Sequence, residues 1–364
     1  MQTVRLREFL GSFEPYKWEP STEDLAKEVG KDVDDIIRFD TNTSPTLSVE
    51  WLKKLSTILE SIRINDYPDT SYSRLRSSLA AYCDCDPGEV LVANGADEAL
   101  LVACSAVIGE GFEAILSSPT YSYYQKLVEI LGGRVVEVDR REDFSDDMDT
   151  ITSSVGKDTR MIILCSPNNP TGNLVNRRRL EELLTMEIVV LIDEAYFEYC
   201  GDTSRDLIKS YDNLIIIRTM SKAFGLAGLR LGYALSSSTT ITLLNKIRPP
   251  NSVGAIPQRL AEIALHDQKW MEKNVSHTMG EKERVSKAIA AIEGVESIPS
   301  HANFMLLRFS RITGAEAYSK LLNLGIVVRD ISSVRRLEKY IRFSMGTSGQ
   351  NNKFLDALIQ VCSK

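Results

Sequence analysis

Residues 214–230 read Leu214-Ile215-Ile216-Ile217-Arg218-Thr219-Met220-Ser221-Lys222-Ala223-Phe224-Gly225-Leu226-Ala227-Gly228-Leu229-Arg230. The opening apolar, β-branched run has the pattern of a buried strand in a parallel sheet. The residues after Arg218 are polar and punctuated by glycine, the pattern of a loop. A lysine among small and apolar neighbours is where desolvation lowers an ammonium pKa and leaves an amine able to do Schiff-base chemistry. Arg230, Thr219 and Ser221 add a planar guanidinium fork and two hydroxyls, a set suited to holding a phosphate beside that amine. Most loop lysines are simply solvated, so the groups that the chain places around Lys222 decide its role.

Outward from this stretch the same unit repeats. Glu187 to Ile192 predicts a strand ending at Asp193-Glu194-Ala195-Tyr196, and Arg160 to Cys165 one ending at Ser166-Pro167-Asn168-Asn169-Pro170-Thr171-Gly172. Ala114 to Leu116 leads to Pro119-Thr120-Tyr121, and Val90 to Ala93 leads to Asn94-Gly95-Ala96-Asp97-Glu98 and a helix. Arg134 to Val138 and Leu231 to Leu235 are further strands. Strands alternating with helices predict an α/β fold, a mostly parallel central sheet covered by helices on both faces. Ligands then bind outside the carboxyl ends of the strands, where every polar motif above falls.

Before this region, Ser21 and Asp24 approximate a capping box opening a helix, and Trp51 to Ile64 and Tyr72 to Tyr82 are helical by period. After Ile247-Arg248-Pro249-Pro250 the pattern changes. His266 to Ile292 predicts a long charged helix or a pair. Phe304 to Phe309, Ile326 to Arg329 and Tyr340 to Phe343 predict strands, with helices at Ala315 to Leu324 and Asn352 to Cys362. We therefore expect an arm and helix over residues 1–40 that join the smaller domain, a large domain over 41–247, and a smaller α+β domain over 248–364.

Several classes of function are disfavoured. The 364 residues carry a formal net charge of −7, which argues against nucleic acid or an anionic membrane as partner. No apolar run reaches membrane-spanning length and the first residues lack a secretory core, so the expected compartment is the cytoplasm. Six scattered cysteines, none in a C-x-x-C pair, predict reduced thiols, and three histidines make a histidine-cluster metal site or a His-relay hydrolase unsuited; no metal is expected.

Each motif has a bland alternative. Asp97 could be an N-cap, Asn168 to Gly172 a turn, Asp193 a capping carboxylate and Tyr121 core. Together they fit one cofactor, pyridoxal 5'-phosphate. It needs a lysine to trap its aldehyde, a carboxylate to keep its ring nitrogen protonated, donors to its phenolic oxygen, a phosphate cup and a flat partner for its ring. Lys222, Asp193, Asn169 with Tyr196, the Ala96 and Asp97 amides with Thr219, Ser221 and Arg230, and Tyr121 supply these in turn.

The segment Thr219 to Gly228 resembles the lysine signature of class II pyridoxal-phosphate-dependent aminotransferases. The order Asn-Gly-Ala-Asp-Glu, Pro-Thr-Tyr, Ser-Pro-Asn-Asn-Pro-Thr-Gly, Asp-Glu-Ala-Tyr and Ser-Lys is similar to the histidinol-phosphate aminotransferase family, as are Phe197-Glu198-Tyr199, Ala302-Asn303-Phe304, Val328-Arg329-Asp330 and Ile341-Arg342. The likeness runs from Pro15-Tyr16 to Gly346-Thr347. It implies a fold-type-I homodimer with shared active sites, and histidine biosynthesis as the setting. It implies that Lys222, with Asp193 and Tyr196, is catalytic and moves a proton from the substrate Cα. Tyr67 would reach the neighbouring subunit's cofactor phosphate, and Arg342, assisted by Arg329 and Tyr16, would grip the substrate's anionic end. Two arginines suit a dianionic phosphate better than one carboxylate. The family usually reads Ser-Asn-Glu-Asn-Pro-Leu-Gly where this chain has Thr41-Asn42-Thr43-Ser44-Pro45-Thr46-Leu47, a segment expected at the substrate entrance with Asn42 among the substrate-binding residues.

The expected reaction is ping-pong exchange between L-histidinol phosphate and 2-oxoglutarate, giving imidazole-acetol phosphate and glutamate. The alternatives are an aminotransferase for aromatic or other amino acids, a threonine-phosphate decarboxylase, and a non-catalytic regulator. The regulator is disfavoured by the presence of Lys222 and the lack of room before Pro15 for a DNA-binding domain. No G-x-G-x-x-G follows the first strand, which excludes the usual dinucleotide fingerprint.

Overall fold

The computed structural model describes residues 7–16 and 19–363; residues 1–6 and 17–18 of the expected arm lie outside the described residues. The arm leads to α1 (Thr22–Val29), whose first turn is capped by Ser21 accepting from the Asp24 N–H and whose end is turned by Gly30 at φ 65°. Next come β1 (Ile37–Arg38), α2 (Val49–Ile58) and α3 (Ser73–Cys83). The helix expected over 51–64 starts earlier, at the Ser48 cap, and stops sooner.

The large sheet is built by alternation: β2 (Val90–Ala93), α4 (Gly95–Ser105), β3 (Glu113–Ser118), α5 (Tyr123–Ile130), β4 (Arg134–Asp139), α6 (Met148–Ser153), β5 (Thr159–Cys165), α7 (Arg177–Leu184), β6 (Val189–Asp193), β7 (Leu214–Thr219) and β8 (Gly232–Leu235). Its seven strands lie in the order β2-β8-β7-β6-β5-β3-β4. Both faces are buried, and alternate side chains divide between them. Leu214 and Ile216 enter one core while Ile215 and Ile217 enter the other.

One strand runs against the rest. β8 pairs antiparallel with both β7 and β2. A parallel return needs a crossover, usually a helix. Residues 220–231 hold only a single 3-10 turn, Ala227–Leu229, so the chain comes straight back and the lysine loop becomes a turn at the strand ends.

After α8 (Ser238–Leu244), α9 (Ala255–His266) packs on α2 and α3, with Leu260, Ala261 and Ala264 in the same core as Trp51 and Leu75. The charged stretch from His266 is thus the end of α9 and a separate α10 (Lys269–Ile289). The small sheet combines β9 (Val295–Ser297) and β10 (Phe304–Phe309) with two later strands; α11 (Gly314–Asn323) comes after β10, and α12 (Ser348–Cys362) ends the chain. The run expected as one strand from 326 to 329 divides at Val328. β11 (Ile326–Val327) pairs with β1, while β12 (Arg329–Asp330) pairs with β13 (Tyr340–Ser344) in the order β12-β13-β10-β9. Thr313 with Glu316 and Thr347 with Gln350 form full capping boxes on α11 and α12.

Candidate active site

A cavity of about 290 Å³ opens at the carboxyl ends of the large sheet, near the lower bound of ~300 Å³ common for small-molecule sites. Lys222 reaches it from the turn after β7. The Lys222 Nζ donates to the Thr41 carbonyl at 3.1 Å and lies 5.7 Å from the Tyr196 ring. Among the described residues no carboxylate lies within ion-pair distance of it. Burial pushes its pKa down to about 8, Arg342 and Arg230 add to that, and Asp97 and Asp193 oppose.

Asp193 ends β6. Its Oδ2 accepts from the Tyr124 hydroxyl at 2.7 Å and its Oδ1 from the Ala195 N–H at 2.9 Å. Burial raises its pKa to about 6 against the pull of those two bonds. The next residue, Glu194, faces the other way, as strand alternation requires. It pairs with Arg218 at 2.8 Å, both side chains buried, and accepts from Thr203 Oγ1 and the Ser204 N–H. Arg218 also lies 3.6 Å over the Phe197 ring.

The start of α4 faces the turn. The first N–H groups of a helix have no partner within it, so those of Ala96 and Asp97 suit an anion. Strand β8 comes close beneath: a Cβ on Gly232 would meet the Ala96 nitrogen and the Gly95 carbonyl carbon at 2.4 Å. Gly95 itself, at φ 85°, makes the turn. Thr219 Oγ1 donates to Ser221 Oγ at 2.9 Å, and Arg230 Nη2 to Asp97 Oδ2 at 2.8 Å. Tyr121 lines the cavity with its ring edge-on to Tyr124, centroids 5.4 Å apart.

At the opposite end Arg342 is buried. Its Nη1 donates to Asn169 Oδ1 at 2.7 Å and its Nη2 to the Asp40 carbonyl. Asn42, left-handed at φ 53°, donates to the Tyr196 hydroxyl at 3.0 Å and is fixed by Asn303, whose Nδ2 donates to its carbonyl. Tyr16 sits in ring contact with Tyr121. Arg329 and Tyr67 do not line this cavity: Arg329 pairs with Glu19, and Tyr67 is 87% exposed. Glu19 and Tyr124 escape the sequence reading, whereas Thr41 and Asn303 fall inside segments that it singles out without giving either a role of its own. Tyr124 has a signal, lying three residues beyond Tyr121, but Glu19 acts through a long-range contact and carries none.

The residues fit pyridoxal phosphate. Donors suited to a phosphate, a buried carboxylate and a lysine of lowered pKa line one cavity. Arg342 Nε and Asn42 Oδ1 are buried polar atoms without partners, which a polar ligand would satisfy. The pattern of the family described as Aminotransferase class I and II matches residues 34–358. The chain belongs to that family.

This aminotransferase is 33% identical over 329 residues to a histidinol-phosphate aminotransferase of Caldanaerobacter subterraneus, covering 90% of this chain and 93% of that protein. The solved structure of a histidinol-phosphate aminotransferase from Sinorhizobium meliloti, in complex with pyridoxal-5'-phosphate, superposes with a TM-score of 0.88 at 25% identity, covering 99% of this chain and 98% of the other. That of an L-threonine-O-3-phosphate decarboxylase from Porphyromonas gingivalis gives 0.79 at 26% identity, covering 90% of this chain and all of the other.

Proposed function

We propose that this aminotransferase moves an amino group between L-histidinol phosphate and 2-oxoglutarate in a ping-pong exchange, within histidine biosynthesis. The observation that carries the substrate class is buried Arg342 at the end of the cavity away from α4, with a second guanidinium, its register partner Arg329, held behind the cavity wall by Glu19. Bidentate guanidiniums suit a phosphate dianion.

Pyridoxal 5'-phosphate, when bound, supplies an electron sink for the charge left at the substrate Cα. Ala96, Asp97, Thr219, Ser221 and Arg230 would hold its phosphate, with Tyr67 of a second subunit. Tyr121 would lie against its ring, and Asn169 and Tyr196 would donate to its phenolic oxygen. Asp193, already carrying two donors, would stabilise a positive ring nitrogen. The Lys222 amine, neutral above about 8, would take the proton from the substrate Cα and deliver it to the cofactor's C4′ carbon. The Thr41 carbonyl steadies Nζ. Arg342 binds the substrate's anionic end, with Tyr16 and Asn42 beside it.

A homodimer is part of this proposal. Tyr67 at 87% and Ile64 at 75% exposure, with Val49 and Leu52 exposed on α2, leave apolar surface uncovered on this protomer. We also keep the division into an arm over residues 1–40, a large domain over 41–247 and a smaller one over 248–364. A cytoplasmic setting is supported by six free thiols. Among the described residues no helix is long and apolar enough to cross a membrane.

Single-turnover conversion of the bound cofactor to its amine form, followed by absorbance, tests the substrate. Histidinol phosphate should convert it faster than an aromatic amino acid or threonine phosphate. Carbon dioxide release from threonine phosphate would make the enzyme a decarboxylase, and no response to histidinol phosphate would reject the assignment.

A further inference from the structure

Arg329 and Arg342 are register partners across antiparallel β12 and β13. Such partners project to one face with Cβ atoms about 4.5–5.5 Å apart, and like charges there repel. The structure resolves that repulsion unequally. Arg342 has no carboxylate within ion-pair distance among the described residues, and its Nε is unpartnered. Arg329 is neutralised, its Nη1 2.5 Å from Glu19 Oε1, with side-chain exposures of 22% and 28%. Glu19 comes from the arm, and it lines the cavity where Arg329 does not. A negative side chain therefore stands between Arg329 and the space that a substrate's anionic end enters.

We propose that Glu19 is a built-in counter-ion that lets one pocket take two kinds of anion. A carboxylate is gripped by Arg342 alone, with Glu19 left on Arg329. A phosphate dianion displaces Glu19 and takes both guanidiniums. The charge count favours this division. Any anion that displaces Glu19 frees it at the cavity wall; a monoanion would in addition leave one of the two guanidiniums without a charge partner, whereas a dianion replaces the charge that Arg329 loses and still satisfies Arg342. The Glu19–Arg329 pair is partly exposed, and pairs of that kind are weak enough to exchange. Glu19 is thus a specificity residue; this role rests on the substrate assignment above, whose two half-reactions present one phosphate and one dicarboxylate.

The holoenzyme with its cofactor in the amine form binds amino substrates without turnover, so calorimetry can measure their affinities. Glu19→Gln should tighten histidinol phosphate about tenfold and leave glutamate within about twofold, and in an Arg329→Gln background it should change neither. Equal shifts for both ligands, or weaker phosphate binding, would overturn the proposal. Inorganic phosphate, titrated into holoenzyme whose cofactor phosphate site is filled, probes the arginine pair by itself and should also tighten in Glu19→Gln. If wild type ignores histidinol phosphate yet Glu19→Gln tightens inorganic phosphate, the substrate assignment fails and the counter-ion stands. If histidinol phosphate is turned over but Glu19→Gln leaves both phosphate affinities unchanged, the counter-ion fails and the assignment stands.

Discussion

At the Lys222 end of the cavity nearly every polar group leaves the carboxyl end of a strand in one sheet; at the Arg342 end the groups come from the arm, from residues 40–42 and from the small sheet. The first end is braced from below. Asp193 is fixed by Tyr124 and Ala195, and its neighbour Glu194 locks β6 to β7 through buried Arg218. The second end is joined across long sequence separations, Arg342 to Asn169, Asn303 to Asn42 and Arg329 to Glu19. A cofactor that stays bound suits a rigid seat. A site that must admit two substrates in turn suits parts that can separate.

The largest effect belongs at the rigid end. Lys222→Ala should lower turnover by about 10⁴-fold while the melting temperature stays within a few degrees, because it removes the proposed proton-transfer group and, of the hydrogen bonds, only the one to the Thr41 carbonyl. Single-turnover absorbance and calorimetry check both halves, and full activity would refute the mechanism. Breaking the brace should act on stability instead. Arg218→Met strands the buried Glu194 carboxylate and should cost about 3–5 kcal/mol in denaturant unfolding. A loss below ~1 kcal/mol, the range of exposed ion pairs, would mean that this end is not braced as described.

The smallest effect couples the two ends. Arg342→Gln should weaken amino-substrate binding by about tenfold, as expected for losing a charged hydrogen bond worth ~1.5 kcal/mol. It should also move Lys222. A positive neighbour disfavours the ammonium form, so removing it favours that form, and the midpoint for aldehyde capture by the apoprotein should rise from about 8. An unchanged or lower midpoint would show that the two ends are electrostatically independent.

The alternation of strands and helices, and the polar motif closing each strand, were legible because parallel strands buried on both faces leave continuous apolar runs. Lys222, Asp193, Asn169 and Tyr196 were readable for the same reason, since each comes within a few residues of such a run. The reversal of β8 was not, because direction depends on what joins two strands and the joining loop resembles any other. The division at Val328 was also hidden, since no glycine, proline or turn residue interrupts Ile326-Val327-Val328-Arg329, and which sheet each half joins is set by the distant β1 and β13. Arg329 read as an open substrate contact because nothing near it in sequence reveals Glu19, 310 residues away.

The order of the residues alone determined an α/β chain with a lysine, a carboxylate and a set of hydroxyl, amide and guanidinium donors at strand ends, because local periodicity and turn chemistry place those groups whatever the distant contacts. Only the folded molecule decided how the charges are shared. Whether Arg342 is left without a carboxylate among the described residues, Arg329 is neutralised and Asp193 is held by Tyr124 depends on distances between segments far apart in the chain, and an electrostatic interaction is fixed by separation in space.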